Sequence, residues 1–303
     1  MQNLRALRQR IRSVQNTQKI TRAMQMVAGA KLRRQQEELM AFRPYATQLD
    51  AITRRFLGAH PDLEHPVILR QAQDDRENDF SVRGEPVEPR MDETPPPIGL
   101  VIHSSDTGLC GTYNERVLDA ALGFIRENPS ISVVSLGKKG TRLLAHRGIK
   151  REREILDWGG RYDPARAVSL LQWMKELYLN GSVSAWWVAT TQFASALRWK
   201  PVVEPFLPMP RPAQAEISEK VIVEPDLKSV TEDLFSRRIL AQWKRILLEA
   251  FTSEHSARMI AMKNATDNAG EMIDTLTLVR NKARQAAITK ELIEVVSGAE
   301  AIR

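Results

Sequence analysis

Proline is missing from both ends of this chain: sixteen occur in 303 residues, yet none lies before Pro44 or after Pro225. Because proline removes a helix hydrogen bond and clashes with the preceding turn, its absence leaves both ends free to form very long helices. Acids are missing from the first 36 residues, which carry nine Lys or Arg (Arg5, Arg8, Arg10, Arg12, Lys19, Arg22, Lys31, Arg33 and Arg34) before Glu37 and Glu38 appear. Such an arm suits an anionic partner, either a nucleic acid or an acidic protein surface. Cys110 is the only cysteine, which excludes an internal disulfide framework and fits a reducing compartment. No run of about 18 uncharged apolar residues occurs, so no transmembrane helix is expected. The arginine-rich start has no apolar stretch of signal-peptide length, and its helical pattern continues well past the length of a mitochondrial presequence. A soluble protein on the cytoplasmic side is expected.

The motifs of common chemistries are missing too. The loop DTGLCGTYN, residues 106 to 114, follows a strand and opens a helix, but it is neither G-x-x-x-x-G-K-[ST] nor G-x-G-x-x-G, so it carries no nucleotide signature. GKKGT, residues 137 to 141, fails on spacing as well. His60, His65, His103, His146 and His255 are scattered without metal-ligand spacing, so neither a metal nor another cofactor is implied. Ser104, Ser105 and Asp106 lack a G-x-S-x-G context and read as a strand-end turn. No catalytic residue is assigned.

What is present is periodicity. Near the N-terminus Leu4, Leu7, Ile11 and Val14, then Ile20, Met24 and Val27, then Ala28, Leu32, Leu39, Phe42, Ala46 and Leu49 recur at steps of three and four, the mark of a helix with one buried stripe. Leu227, Val230 and Leu234, then Trp243, Leu247 and Ala250, then Met272, Leu276, Val279, Ala283 and Ala286 do the same at the other end. Neither stripe is stable unpartnered, and the simplest partner for each is the other, in an antiparallel coiled coil. At about 1.5 Å per residue the C-terminal helix would span roughly 115 Å and the N-terminal one roughly 85 Å, so the former projects past the latter. Pro44 is expected to perturb the first helix locally without ending it.

Between them, 98 to 106, 131 to 137 and 183 to 191 read as strands alternating with helices at 114 to 127, 138 to 147 and 163 to 180. That alternation argues an α/β domain with a mostly parallel, Rossmann-like sheet. Pro201, Pro205, Pro208, Pro210 and Pro212 read as the exit from it. Residues 65 to 97, rich in charge and proline, read as a disordered insertion. The expected organisation is therefore a coiled-coil helix over 1 to 58, a linker over 59 to 97, the α/β domain over 98 to 215 and a second coiled-coil helix over 216 to 303.

Four blocks, SVQNTQKITRAMQMVAGAKLRR (13 to 34), SSDTGLCGTYN (104 to 114), SEHSARMIAMKNATDNAGEMI (253 to 273) and KARQAAITKELIEVVSGAEAI (282 to 302), resemble the gamma subunits of F-type ATP synthases. The resemblance implies a central rotor shaft that carries rotation, driven by proton flow through a ring of c subunits, to catalytic beta subunits. It implies alpha, beta, epsilon, delta and c subunits as partners, no nucleic acid, and attachment to the inner membrane of a bacterium through the complex. It places Arg284, Gln285 and Thr289 against a beta-subunit loop. Met24 then either faces the acidic lever loop of beta or packs in the coiled coil. Arg22, Lys31, Arg33 and Arg34 become a basic face of the shaft, and Gly108 and Gly111 belong to the turn of the central domain. Thr107 and Thr112 depart from the family pattern in that turn, and the paired cysteines of the redox-switched chloroplast form are lacking. Without the resemblance, a basic coiled-coil protein that binds nucleic acid remains the alternative.

Overall fold

The computed structural model describes residues 4 to 68, 95 to 209 and 221 to 300. The body of the expected insertion, 69 to 94, lies outside the described residues. Two compact units are distinguished, one comprising residues 1 to 30 with 258 to 303, the other residues 31 to 257. Helix α1 (Leu4–Ala59) and helix α5 (Leu227–Glu300) each contribute to both. Helix α1 continues through Pro44, as the sequence predicts.

In the first unit the two helices pair antiparallel: the position of a Cβ on Gly29 lies 3.6 Å from Met259 Sδ, and that on Gly270 lies 3.1 Å from Gln18 Nε2. On α1 the positions turned away from solvent are Leu4, Leu7, Ile11, Val14, Gln18, Thr21, Gln25 and Ala28. On α5 they are Met259, Met262, Thr266, Ala269, Ile273, Leu276, Arg280, Ala283 and Ala287, with exposed or less regular positions between. Steps alternating between three and four define a heptad seam. This corrects the stripe drawn from apolar residues alone: Ile20 and Val27 are 60% and 57% exposed, and Met272, Val279 and Ala286 also face solvent. The seam instead takes polar Gln18, Thr21, Gln25 and Arg280, which an apolar count skips.

The second unit is built on a five-stranded sheet of β1 (Ile98–His103), β2 (Ile131–Leu136), β3 (Arg153–Ile155), β4 (Ala185–Ser195) and β5 (Arg198–Leu207) in the order β3-β2-β1-β4-β5. All neighbours are parallel except β4 and β5, which pair as an antiparallel hairpin. Sequence spacing found β1, β2 and β4 and missed the two edges. β3 is three residues long, and β5 carries Pro201 and Pro205, which read as an exit and are edge-strand residues. Helices α2 (Tyr113–Glu127) and α3 (Lys138–His146) cover one face of the sheet, where Leu100, Ile102, Val133 and Ala189 meet Tyr113, Val117, Leu118 and Leu144. Helix α4 (Pro164–Leu179) and the first part of α5 cover the other, where Val101, Val134, Trp186 and Val188 meet Leu170, Met174, Phe235, Trp243 and Phe251. Alternate residues of each strand thus serve opposite cores, as the pleat requires. Asp163 caps α4 by accepting from the Arg166 amide, with Pro164 starting the helix. The indoles of Trp186 and Trp243 donate to the carbonyls of Met174 and Ala167 at 2.9 and 3.1 Å, so both rings are buried without an orphaned donor.

Candidate interaction surfaces

In open α/β sheets, ligands enter the crevice at the carboxyl ends of the strands where the chain reverses its order across the sheet. Here that point lies between β1 and β4, and α5 fills it. Residues 246 to 257 of this helix are buried on every side. The His103 ring, ending β1, stands edge-on to Phe251 at 4.9 Å, and the Tyr113 hydroxyl donates to the Ala250 carbonyl at 3.2 Å. Ser256 donates to Ala196 O at the β4–β5 hairpin at 2.5 Å, and His255 Nε2 donates to Gly160 O at 2.8 Å. The place where a nucleotide would sit is taken by the protein's own helix.

The residues around that crevice that resemble chemistry are engaged in holding turns. Asp106 accepts from the amides of Lys138 (3.2 Å) and Asp157 (3.0 Å) through Oδ1 and from Gly159 (2.9 Å) through Oδ2, tying together the ends of three strands. The Ser104 hydroxyl donates to Leu136 O at 2.7 Å and accepts from the Gly140 amide at 2.8 Å. Asn114 accepts from the Ser105 amide at 2.9 Å and donates to the Cys110 sulfur at 3.2 Å. Within this turn Gly111 has φ of 58°, Leu109 shares the left-handed region at 62°, and Gly108 lies against Lys139. Leu109 is 58% exposed, so the turn holds an apolar side chain outward in a conformation that costs backbone strain. Leu109 is a residue that spacing alone did not single out; its position before a Cys-Gly step is the only signal the sequence offers.

Burial dominates the charges inside the second unit. It pushes the Glu249 carboxyl up, against the pull of Arg245. Arg245 in turn grips Glu204 of β5 through Nη2, at 3.2 and 3.1 Å from the two carboxylate oxygens.

The other sequence-singled residues lie on the long helices. In the first unit Arg22 is exposed and Met24 half-buried beside the seam, intermediate between the two roles open to it. Lys31, Arg33 and Arg34 are exposed on the α1 segment of the second unit. Arg284, Gln285 and Thr289 are all exposed on α5. Gln285 and Thr289, one turn apart, point away from the side defined by Ala283 and Ala287. Past Ala287 every described position of α5 up to Gly298 is exposed, including Leu292, Ile293, Val295 and Val296 at 59% to 70%. The predicted projection of the C-terminal helix is thus present within the first unit, and it presents four large apolar side chains to solvent. Among the described residues no cluster of His, Cys, Asp and Glu could hold a metal, and no helix is long and apolar enough to cross a membrane.

Comparison with known proteins gives one answer. The family described as ATP synthase matches residues 3 to 302. An ATP synthase gamma chain of Bordetella bronchiseptica is 36% identical over 323 aligned positions, covering 100% of both chains. That of Methylibium petroleiphilum is 37% identical over 304, covering 98% of each, and that of Moorella thermoacetica 36% over 305, covering 100% of each. Among solved structures, the rotor of Euglena gracilis mitochondrial ATP synthase superposes with a TM-score of 0.63 at 19% identity, over 94% of this chain and 98% of that one. The central stalk of the Tetrahymena thermophila enzyme gives 0.56 at 21%, over 81% and 99%. At such identities these two likenesses are likenesses of fold.

Proposed function

The chain belongs to the ATP synthase gamma family, and from that premise we propose that it is the central rotor shaft of an F-type ATP synthase. In this reading proton flow turns a ring of c subunits, the shaft turns with it, and its asymmetric surface forces three chemically identical beta sites into different states. A contact can shift a conformational equilibrium only by its differential affinity for the states, so the shaft acts by what it touches and itself carries no ATP chemistry. Alpha and beta subunits form the sleeve; epsilon, delta and the c ring are the remaining partners; and the protein is held peripherally at the cytoplasmic face of a bacterial inner membrane. The nucleic-acid reading of the basic arm finds no support among the relatives.

One observation carries the proposal. Beyond Ala287, helix α5 exposes Leu292, Ile293, Val295 and Val296, an end that requires a surrounding surface. Its small residues suit turning within a sleeve, while Arg284, Gln285 and Thr289 supply polar contacts that form and release, and the exposed cations Arg22, Lys31, Arg33 and Arg34 suit the acidic lever loop of beta. Purified chain mixed with matching alpha and beta subunits is expected to yield an ATP-hydrolysing complex that contains it. Failure of any such complex to form would reject the rotor reading.

A further inference from the structure

The seam of the first unit changes character at its middle. Toward one end α1 contributes Leu7 and Ile11, and at the other end the helices meet through Ala28, Gly29 and Met259. Between these, the contact is polar. The Thr266 and Thr21 hydroxyl oxygens lie 2.8 Å apart across the seam, and each also has a carbonyl of its own helix within reach, Met262 O at 2.8 Å and Gln18 O at 3.1 Å. The Gln18 side-chain amide reaches across to the Thr266 carbonyl at 3.4 Å. Gly270 makes room for it, since a Cβ there would lie 3.1 Å from Gln18 Nε2.

We propose that Gln18, Thr21 and Thr266 are positioning residues that fix the axial register of α1 against α5. On the α5 side the flexible Met259 and Met262 and the small Ala269, Ala283 and Ala287 adapt readily to a sliding step. A polar layer does not. Displaced by one heptad, the Gln18 side chain loses the room at Gly270 and meets Lys263 or Thr277 at that level, and the hydrogen bond between Thr21 and Thr266 across the seam is broken. The native register is the one in which Gln18 has both the room at Gly270 and the Thr266 carbonyl, and in which the two threonines meet across the seam. Register decides how far α5 extends past the first residues of α1, and therefore the level at which Arg284, Gln285 and Thr289 stand relative to Met24. The consequence for coupling rests on the rotor reading above; the register itself does not.

Nitroxide labels on Lys19→Cys and Lys282→Cys in the full chain, both at exposed positions, give the test by pulsed electron-spin distance measurement. Cys110, 2% exposed, stays in place. The labels sit at different levels of the seam, so a sliding step of one heptad changes their separation by up to about 10 Å. A single narrow distance is expected with the native layer. With Gln18→Leu, Thr21→Val and Thr266→Val combined, the distribution broadens or gains a second peak displaced by up to that amount, and Thr21→Ser with Thr266→Ser restores the single peak. An unchanged single distance in the triple variant overturns the proposal. So does loss of its helical circular dichroism, which would make the layer a requirement for folding and not for register. The distance is read in the chain alone, so failure to assemble with alpha and beta would strike the rotor reading and leave this result standing.

Discussion

His103 ends strand β1 with its ring 1% exposed and its Nδ1 without a hydrogen-bond partner. Burial holds its pKa down at about 4, outweighing the nearby Asp106 carboxylate and a backbone contact, both of which push it up. An unfolded chain would titrate this group near 6.5. Above that pH the ring is neutral in both states; as the pH falls toward 4 the unfolded chain takes up a proton that the folded one refuses, and stability declines. The full loss is about 3 kcal/mol. Urea unfolding followed by tryptophan fluorescence at pH 7.5, 5.5 and 4.5 should show the decline, and His103→Phe should remove that part of it. An equal acid slope in the two proteins would contradict the assignment. Gly137, at φ of 93°, is a second point where one atom decides: a Cβ would lie 2.2 Å from the Ser104 carbonyl oxygen. Gly137→Ala is expected to abolish soluble expression, because backbone cannot move aside as a flexible side chain can. Neither residue was legible in the sequence beyond its type. Ser104, Ser105 and Asp106 read as a turn and form one, but that three strand ends converge on Asp106 depends on contacts 32 to 53 residues apart.

At the scale of elements, strongly periodic segments were legible and weakly periodic ones were not. Helices α2, α3 and α4 and strands β1, β2 and β4 fall where spacing puts them. β3 has too few residues for any pattern, and β5 is an edge strand whose prolines mimic a loop. The apolar stripe holds at Leu4, Leu7, Ile11, Val14, Ala28, Leu276 and Ala283 and fails at Ile20, Val27, Met272, Val279 and Ala286, because hydrophobicity alone skips Gln18, Thr21, Gln25 and Arg280, which belong to the seam by geometry. Two predictions follow from the burial along α5. Phe251, 2% exposed and packed on both His103 and Trp158, anchors the helix in the crevice of the sheet. Phe251→Ala should cost about 3 to 5 kcal/mol in urea unfolding of the second unit; a cost within the range of surface changes would mean that the crevice is held by other residues. By contrast, the seam ends at Ala287 and the described residues 291 to 298 are all exposed, so deleting the chain from 291 onward removes no described packing. The thermal midpoint of the isolated protein should be unchanged, and a marked fall would reveal internal contacts made by that end.

For the whole molecule, periodicity gives a pair of long helices and an α/β unit, but neither the spacing nor the geometry names a partner; the family does. The two sources meet at the exposed end of α5. Arg284 and Gln285 are exposed, so replacing both with Ala removes no internal packing, and the melting temperature of the isolated chain should not move. On the rotor proposal, the same change inside a complex with alpha and beta would remove polar contacts assigned to the beta sleeve. Solvent-accessible polar contacts contribute modestly, so ATP turnover of the reconstituted complex should fall by roughly 2- to 10-fold while assembly persists. Arg284→Lys, which keeps the charge and loses the planar fork, should recover part of the loss if charge attraction matters and little if bidentate geometry does. A lowered melting temperature in the double variant would contradict the surface assignment. Unchanged turnover would reject the proposed beta contact at these two side chains and leave them as solvated positions of the helix.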